Sequence, residues 1–203
     1  MTLRSIPILI VAAAALVCGA ALAGTSPAIP KSLALRLSDF PAGSKVAGTS
    51  HSTGPGGSVF SATFNFKVGD REEEVTDAVW YIPKGAKPPV PGLVVGPTAT
   101  YRNEVSQVSG FRGEQPVAVG SYGDQRTANW ADYTNADGAH RARAALVVLE
   151  GRYVWELIVE NCGVLSSYGC AFGPTPPKIT KAVAVAELRR YALEQKARMK
   201  NAR

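Results

Sequence analysis

The chain has 203 residues, of which 46% are hydrophobic and 19% are charged, and its formal net charge is +6. This composition excludes an intrinsically disordered protein, because the apolar content is high enough to build a core. The length suits one domain of ordinary size after removal of an export signal. The charge excess is modest, and the export predicted below argues against nucleic acid as a partner.

The first 23 residues have the features of a secretory signal. Arg4 precedes an apolar run from Ile6 to Leu22, and Ala21-Leu22-Ala23 is a small-x-small site that signal peptidase can cleave. A transmembrane anchor is the alternative, but Gly19 and the cleavage site interrupt the end of a short apolar stretch. No later segment is long and apolar enough to span a bilayer. We therefore predict cleavage after residue 23, a net charge of +5 for the mature chain, and a secreted, periplasmic or cell-envelope location.

Signal cleavage removes one of the three cysteines and leaves Cys162 and Cys170. Two cysteines in an oxidising compartment favour a disulfide. Thioredoxin-type chemistry requires two residues between the cysteines, and seven lie between these. A zinc site would need two further ligands, and the only histidines, His51 and His140, show no paired spacing. We predict a Cys162–Cys170 disulfide, no metal and no cofactor.

Residues 24–31 carry Pro27 and Pro30 among small residues and are predicted to form a flexible lead-in. The rest of the chain, residues 32–203, is then a single domain. Alternation of apolar and polar residues predicts a strand over Ser58 to Val68 and a second strand that ends before Pro83. These two strands are expected to pair as an antiparallel hairpin.

A second hairpin is predicted from Arg141 to Glu160, with Glu150-Gly151 as its two-residue loop. In this register Leu146 lies opposite Trp155, and one side of the hairpin is uniformly apolar. On the other side the register pairs Arg141 with Glu160 as a cross-strand ion pair. Trp155 is expected to be the buried anchor of the domain.

Two helices are predicted. The spacing of Tyr101, Val105 and Val108 indicates a short amphipathic helix between Pro97 and Gly110. Thr180 is a good N-cap for a longer C-terminal helix that reaches Met199. The expected buried stripe of this second helix consists of Val185, Leu188, Ala192 and Met199.

The predicted elements give an α+β fold, with an antiparallel sheet built from hairpins and covered on one face by the C-terminal helix and the shorter mid-chain helix. Three stretches, Leu37 to Gly43, Val119 to Ser121 and Gly151 to Trp155, carry a resemblance to small exported bacterial α+β domains of unassigned function, including extracytoplasmic sensor and lipoprotein domains. The resemblance implies a sheet with helices on one face. It supplies no functional residue.

The functional signals in the sequence are weak and leave three hypotheses open. The leading one is a noncatalytic exported binding or envelope-associated module, whose partner would be a cell-envelope component or a small ligand. It is motivated by the lack of a recognisable catalytic motif. Gly54 to Gly57, for example, lacks the Gly and Lys positions of nucleotide-binding loops and indicates a turn.

The two rival hypotheses use charged residues. An extracytoplasmic hydrolase could use dispersed carboxylates or His140, provided that Asp132, Asp137 or Glu156 lies within reach of the imidazole. Alternatively, the basic C-terminal helix could tether the protein to an anionic lipid or wall surface. The residues expected at such a surface are Lys196, Arg198 and Lys200.

Overall fold

The structure of the protein is a computed structural model that describes residues 26–54, 57–84, 115–134, 140–162, 164–166, 169–171 and 179–200. The predicted signal segment and the predicted helix between Pro97 and Gly110 lie outside these residues. Within the described ranges, no helix has the length and apolar character of a membrane span.

The described elements are nine strands and one α-helix, with two short 3-10 turns at Lys31–Leu33 and Leu37–Asp39. Seven strands form one antiparallel sheet in the order β1-β2-β3-β7-β6-β5-β4, and β8 and β9 form a separate pair. The predicted α+β fold is confirmed. The bounds are β1 Lys45–Gly54, β2 Gly57–Val68, β3 Arg71–Tyr81, β4 Gln115–Pro116, β5 Gln125–Thr134, β6 His140–Glu150, β7 Tyr153–Cys162, β8 Val164–Ser166, β9 Gly169–Ala171 and α1 Lys181–Met199.

The first predicted hairpin is confirmed as β2 and β3, which pair antiparallel with Val68 opposite Arg71. The alternation in β2 places its apolar residues on one face, where they are buried under the helical layer. These residues are Phe60, Ala62, Phe64 and Phe66.

The second hairpin is confirmed as β6 and β7, but its predicted turn and register are wrong. The turn begins at Gly151, so Val148 lies opposite Trp155 instead of Leu146. Our prediction placed Glu150 in the turn. Gly151 has a φ of 60°, and a positive φ at the first of two turn residues is what a type II′ turn requires. The apolar face is unchanged, because the observed partner of each residue differs from the predicted one by two positions. Side chains two positions apart in a strand point to the same face.

The corrected register also changes the ion pair of this hairpin. Arg143, and not Arg141, lies opposite Glu160. The Arg143 Nη2 atom is 2.7 Å from Glu160 Oε2, and the Nε atom donates to the same oxygen at 3.1 Å. The pair is mostly buried, so both charges depend on each other for compensation.

Helix α1 begins and ends as predicted. The Thr180 hydroxyl accepts a hydrogen bond from the Val183 backbone N–H at 3.3 Å, as an N-cap does. The helix packs across β6 and β7. The predicted stripe omitted Tyr191 and included Val185, which is only partly buried. The buried residues are Ala184, Leu188, Tyr191, Ala192, Gln195 and Met199.

Residues 26–40, here called the N-terminal segment, lie against the face of the sheet on which helix α1 packs. The Ser26 hydroxyl donates to the Gly54 carbonyl at 2.8 Å, and the Phe40 ring stacks on Phe64 with centroids 4.3 Å apart. Ser26 and Ile29 are buried. Residues 26–31 of the predicted lead-in therefore make hydrogen-bonded and apolar contacts with the sheet, and the flexibility of the lead-in stays a prediction.

Candidate functional site

An open groove lies between the N-terminal segment and strands β1 and β2. Its volume is about 330 Å³, at the lower end of the range for small-molecule sites. The two 3-10 turns form one wall, β2 forms the floor and the edge strand β1 forms the other side. The residues that line it are Lys31, Ser32, Leu35, Arg36, Leu37, Val46, Thr49, Phe60, Ala62 and Phe64.

The floor of the groove is formed by apolar side chains of β2. Phe60, Ala62 and Phe64 point to the same face and are only 2–6% exposed, so each contributes a small apolar surface to the groove. A bulge in β1 between Val46 and Gly48 sets Thr49 opposite Ala62. Because a bulge adds one residue to the strand, Val46 and Thr49 both border the floor.

The wall of the groove is held by polar contacts to the core. The Leu35 backbone N–H donates to Asp77 Oδ2 at 2.7 Å, and the Gln195 amide donates to the Leu33 carbonyl at 2.8 Å. At its far end, Arg198 on α1 forms an ion pair with Asp39. These contacts come from the sheet and the helix, so they fix the wall relative to both.

The groove has an apolar surface and a positively charged wall. Leu37 is 44% exposed and Val46 is 48% exposed, and they are two of the three exposed large hydrophobic residues in the described part of the chain. Lys31 and Arg36 are exposed on the wall. The described residues that line the groove include no Asp or Glu, so its local charge is positive.

A second polar cluster lies under helix α1, apart from the lining of the groove. Glu73 on β3 is fully buried, and Arg71 Nη2 lies 3.0 Å from Glu73 Oε1 and 3.6 Å from Glu187 Oε1 on the helix. Burial and the adjacent Glu187 carboxyl raise the pKa of Glu73 to about 9. When Glu73 keeps its proton, the positive charge of Arg71 balances the negative charge of Glu187, and the cluster is neutral. A neutral cluster suits a structural contact between sheet and helix.

Two further acids have raised pKa values. Burial raises the pKa of Asp77 to about 7, against the lowering effects of the Leu35 N–H bond and the Arg198 charge. On the opposite face of the sheet, burial raises the pKa of Glu156 to about 7, although Arg143 lowers it. The burial of Glu73 and Asp77 was not predicted from the sequence. The sequence does contain a signal for this burial. Each acid occupies a position on β3 that points to the same face as the apolar residues of that strand, and the strand register shows that this face is buried.

The residues of the hydrolase hypothesis are only partly described. The backbone register places His140 opposite Thr134 and Asp132 opposite Ala142. His140 and Asp132 therefore occupy neighbouring positions on the same face of the sheet. Glu156 lies opposite Val147, on the other face and about 23 Å along the strand from His140 at the usual rise per residue. Asp137 and the His140 side chain lie outside the described residues. Glu156 is therefore too far away to act with His140.

In the described part of the chain, no group of three or more His, Cys, Asp or Glu residues is placed to hold a metal ion. His51 is exposed on the edge strand β1, opposite Phe60.

The residues of the tether hypothesis are placed on the last turns of α1. The Lys196 ammonium donates to the Ser121 carbonyl at 3.2 Å and lies 5.5 Å from the centre of the Tyr122 ring. Arg198 forms the ion pair with Asp39, and Lys200 is exposed. Lys196 and Arg198 thus have partners within the protein, and contact with an anionic surface stays a prediction.

The predicted disulfide falls on side chains outside the described residues. The backbone places Cys162 at the end of β7, opposite Glu72, and Cys170 in β9, opposite Leu165. We expect mature protein, purified without reductant, to show no free thiol toward a maleimide reagent after unfolding, because two cysteines in an oxidising compartment would pair. Such a disulfide would close a short loop and contribute about 2.5 kcal/mol to stability. Two labelled thiols per chain would contradict this prediction.

Comparison with known proteins adds no functional information. No protein-family model matches the chain, and no curated protein sequence matches it. Among solved structures, the chain is similar to an uncharacterized protein of Mycobacterium smegmatis, the Rv0999 ortholog, with 13% sequence identity and a TM-score of 0.38. The matched region covers 85% of this chain and 87% of that one.

Proposed function

We propose that the protein is an exported, noncatalytic binding module that holds the apolar part of a small ligand in the groove between the N-terminal segment and strands β1 and β2. The observation that carries this proposal is the exposure of Leu37 and Val46 on the two sides of an apolar floor. An exposed pair of large apolar side chains beside a concave surface is a feature of ligand-binding sites.

Burial of this surface supplies the binding free energy. A ligand in the groove would remove Leu37 and Val46 from water, and each Å² of apolar surface that becomes buried contributes about 25 cal/mol. The wall is already held by Asp77, Gln195 and Arg198. Because the site is formed before the ligand arrives, little free energy is lost in ordering it.

The proposal predicts that Thr49→Trp blocks binding of octanol. Thr49 is exposed and borders the floor, so an indole ring at this position would occupy the groove. Aromatic side chains are also favourable in strands, so the fold should persist. Binding is measured by octanol-dependent changes in the amide NMR spectrum. We expect these changes around the groove in the wild type and their loss in the variant.

A matched control is Ser52→Trp, which adds the same ring to the same edge strand. Ser52 is exposed and lies opposite Val59, on the other face of the sheet. We expect this variant to bind octanol as the wild type does. The proposal is wrong if octanol causes no spectral change in the wild type, or if the changes persist in Thr49→Trp.

A further inference from the structure

We propose that the natural ligand of the groove is a single-chain anionic amphiphile, with its acidic group held by Lys31 and Arg36 and its chain lying on Phe60, Ala62 and Phe64. This inference rests on the proposed function and adds the chemical class of the ligand. It is carried by the arrangement of charge around the groove, where both cations lie on one wall and the floor is apolar.

The charge of this wall is not neutralised by the nearest acid in sequence. Asp39 follows Arg36 closely, but its two carboxylate oxygens lie 2.6 and 2.5 Å from the Arg198 guanidinium. The Arg36 backbone N–H also donates to Asp39 Oδ2, at 2.7 Å. The Asp39 charge is therefore compensated by helix α1. This leaves the wall positive toward the groove, and a cationic ligand would be repelled.

The guanidinium and ammonium groups suit an acidic headgroup. Arginine can bind a carboxylate or phosphate through two parallel hydrogen bonds, and lysine adds a point charge. Both side chains are exposed, so an anion can reach them without breaking an existing described ion pair. Ser32 lies between them in the chain, and its hydroxyl is a further possible donor to the same group.

The dimensions of the groove favour one chain over two. Phe60 and Phe64 are four residues apart on β2, which is about 13 Å at the usual strand rise. The volume of about 330 Å³ is at the small end for ligand sites, so the floor accommodates one extended chain. The groove is open to solvent along the edge strand, and a headgroup at the wall can stay hydrated.

The test compares three ligands with the same eight-carbon chain and different headgroups: octanoate, octanol and octyltrimethylammonium. The two ionic ligands are titrated below their critical micelle concentrations and octanol below its solubility limit, into the purified protein at low ionic strength, with amide NMR shifts as the readout. We expect octanoate to bind about tenfold more tightly than octanol, as two partly exposed charge contacts would give. We expect the cation to bind more weakly than octanol. Raising the salt concentration should reduce the octanoate preference and leave octanol binding unchanged.

The double variant Lys31→Gln/Arg36→Gln should lose the preference for octanoate and still bind octanol. The control Lys84→Gln/Lys200→Gln removes two exposed cations that do not line the groove, so it has the same net charge and should keep the preference. Equal affinity of the wild type for octanoate and octanol, or an unchanged preference in Lys31→Gln/Arg36→Gln, would overturn the anionic class alone. If none of the three ligands binds, the proposed function fails as well.

Discussion

Replacement of Trp155 by alanine is expected to unfold the protein or nearly so. Trp155 is fully buried at the centre of the core, opposite Val148 on β6 and Val79 on β3. Its ring meets the Tyr122 ring edge-on, with centroids 6.0 Å apart. Truncation of a buried tryptophan costs about 3–5 kcal/mol, which is a large part of the 5–15 kcal/mol that typically stabilises a domain.

The measurement is thermal and urea unfolding followed by far-UV circular dichroism. Trp80→Ala is a matched control, because Trp80 lies on the opposite face of β3 and is only partly buried. We expect the control to remain folded and to lose less stability than Trp155→Ala. A melting temperature for Trp155→Ala within a few degrees of the wild type would show that the core does not depend on this ring.

The second large effect is expected from Glu73→Gln, as a change in the pH dependence of stability. The pKa of Glu73 is raised by burial and by Glu187 to about 9 in the folded protein, from an ordinary value of 4.5. Between these two pH values the unfolded chain releases the proton and the folded chain keeps it, so stability falls as pH rises. Below pH 4.5 both states are protonated, and the loss is absent.

Glutamine has nearly the same shape and no charge, so the variant should escape this loss. Arg71 would keep Glu187 as its charge partner. From pH 5 to pH 9, urea unfolding should show that the wild type loses at least about 1.4 kcal/mol more than the variant, which is the equivalent of one pKa unit. Asp77 and Glu156 also titrate in this range, but both are present in the wild type and the variant and do not affect the difference.

Two controls complete this experiment. Glu187→Gln removes the other carboxyl of the cluster and should reduce the pH dependence in the same direction. Glu194→Gln changes an exposed residue of the same helix, and its pH profile should follow that of the wild type. Parallel profiles for the wild type and Glu73→Gln would rule out retention of a proton by Glu73 in the folded protein.

The local pattern of the sequence was sufficient to predict much of the fold. Alternation in β2 identified its buried face, and Thr180 marked the start of α1. Alternation could not set the register of the β6–β7 hairpin. A change of register by two residues keeps Trp155 on the apolar face, so the alternation fits both registers equally well. Only the positive φ of Gly151 selects the observed turn.

The candidate site was much less predictable, because its parts are far apart in the chain. The wall depends on a hydrogen bond from Leu35 to Asp77 and on one from Gln195 to Leu33, and these pairs are 42 and 162 residues apart. No periodic pattern links such positions. The strand alternation placed Asp77 on one face of β3, but burial of that face depends on the N-terminal segment and helix α1.

Strand faces, helix limits and the apolar character of the groove floor were therefore determined by the sequence itself, because they arise from contacts between near neighbours. The joining of β3 to β7, the burial of Glu73 and Asp77, and the groove were decided only in the tertiary structure. The physical reason is that each depends on which distant surfaces exclude water from one another, and this exclusion is a property of the assembled layers.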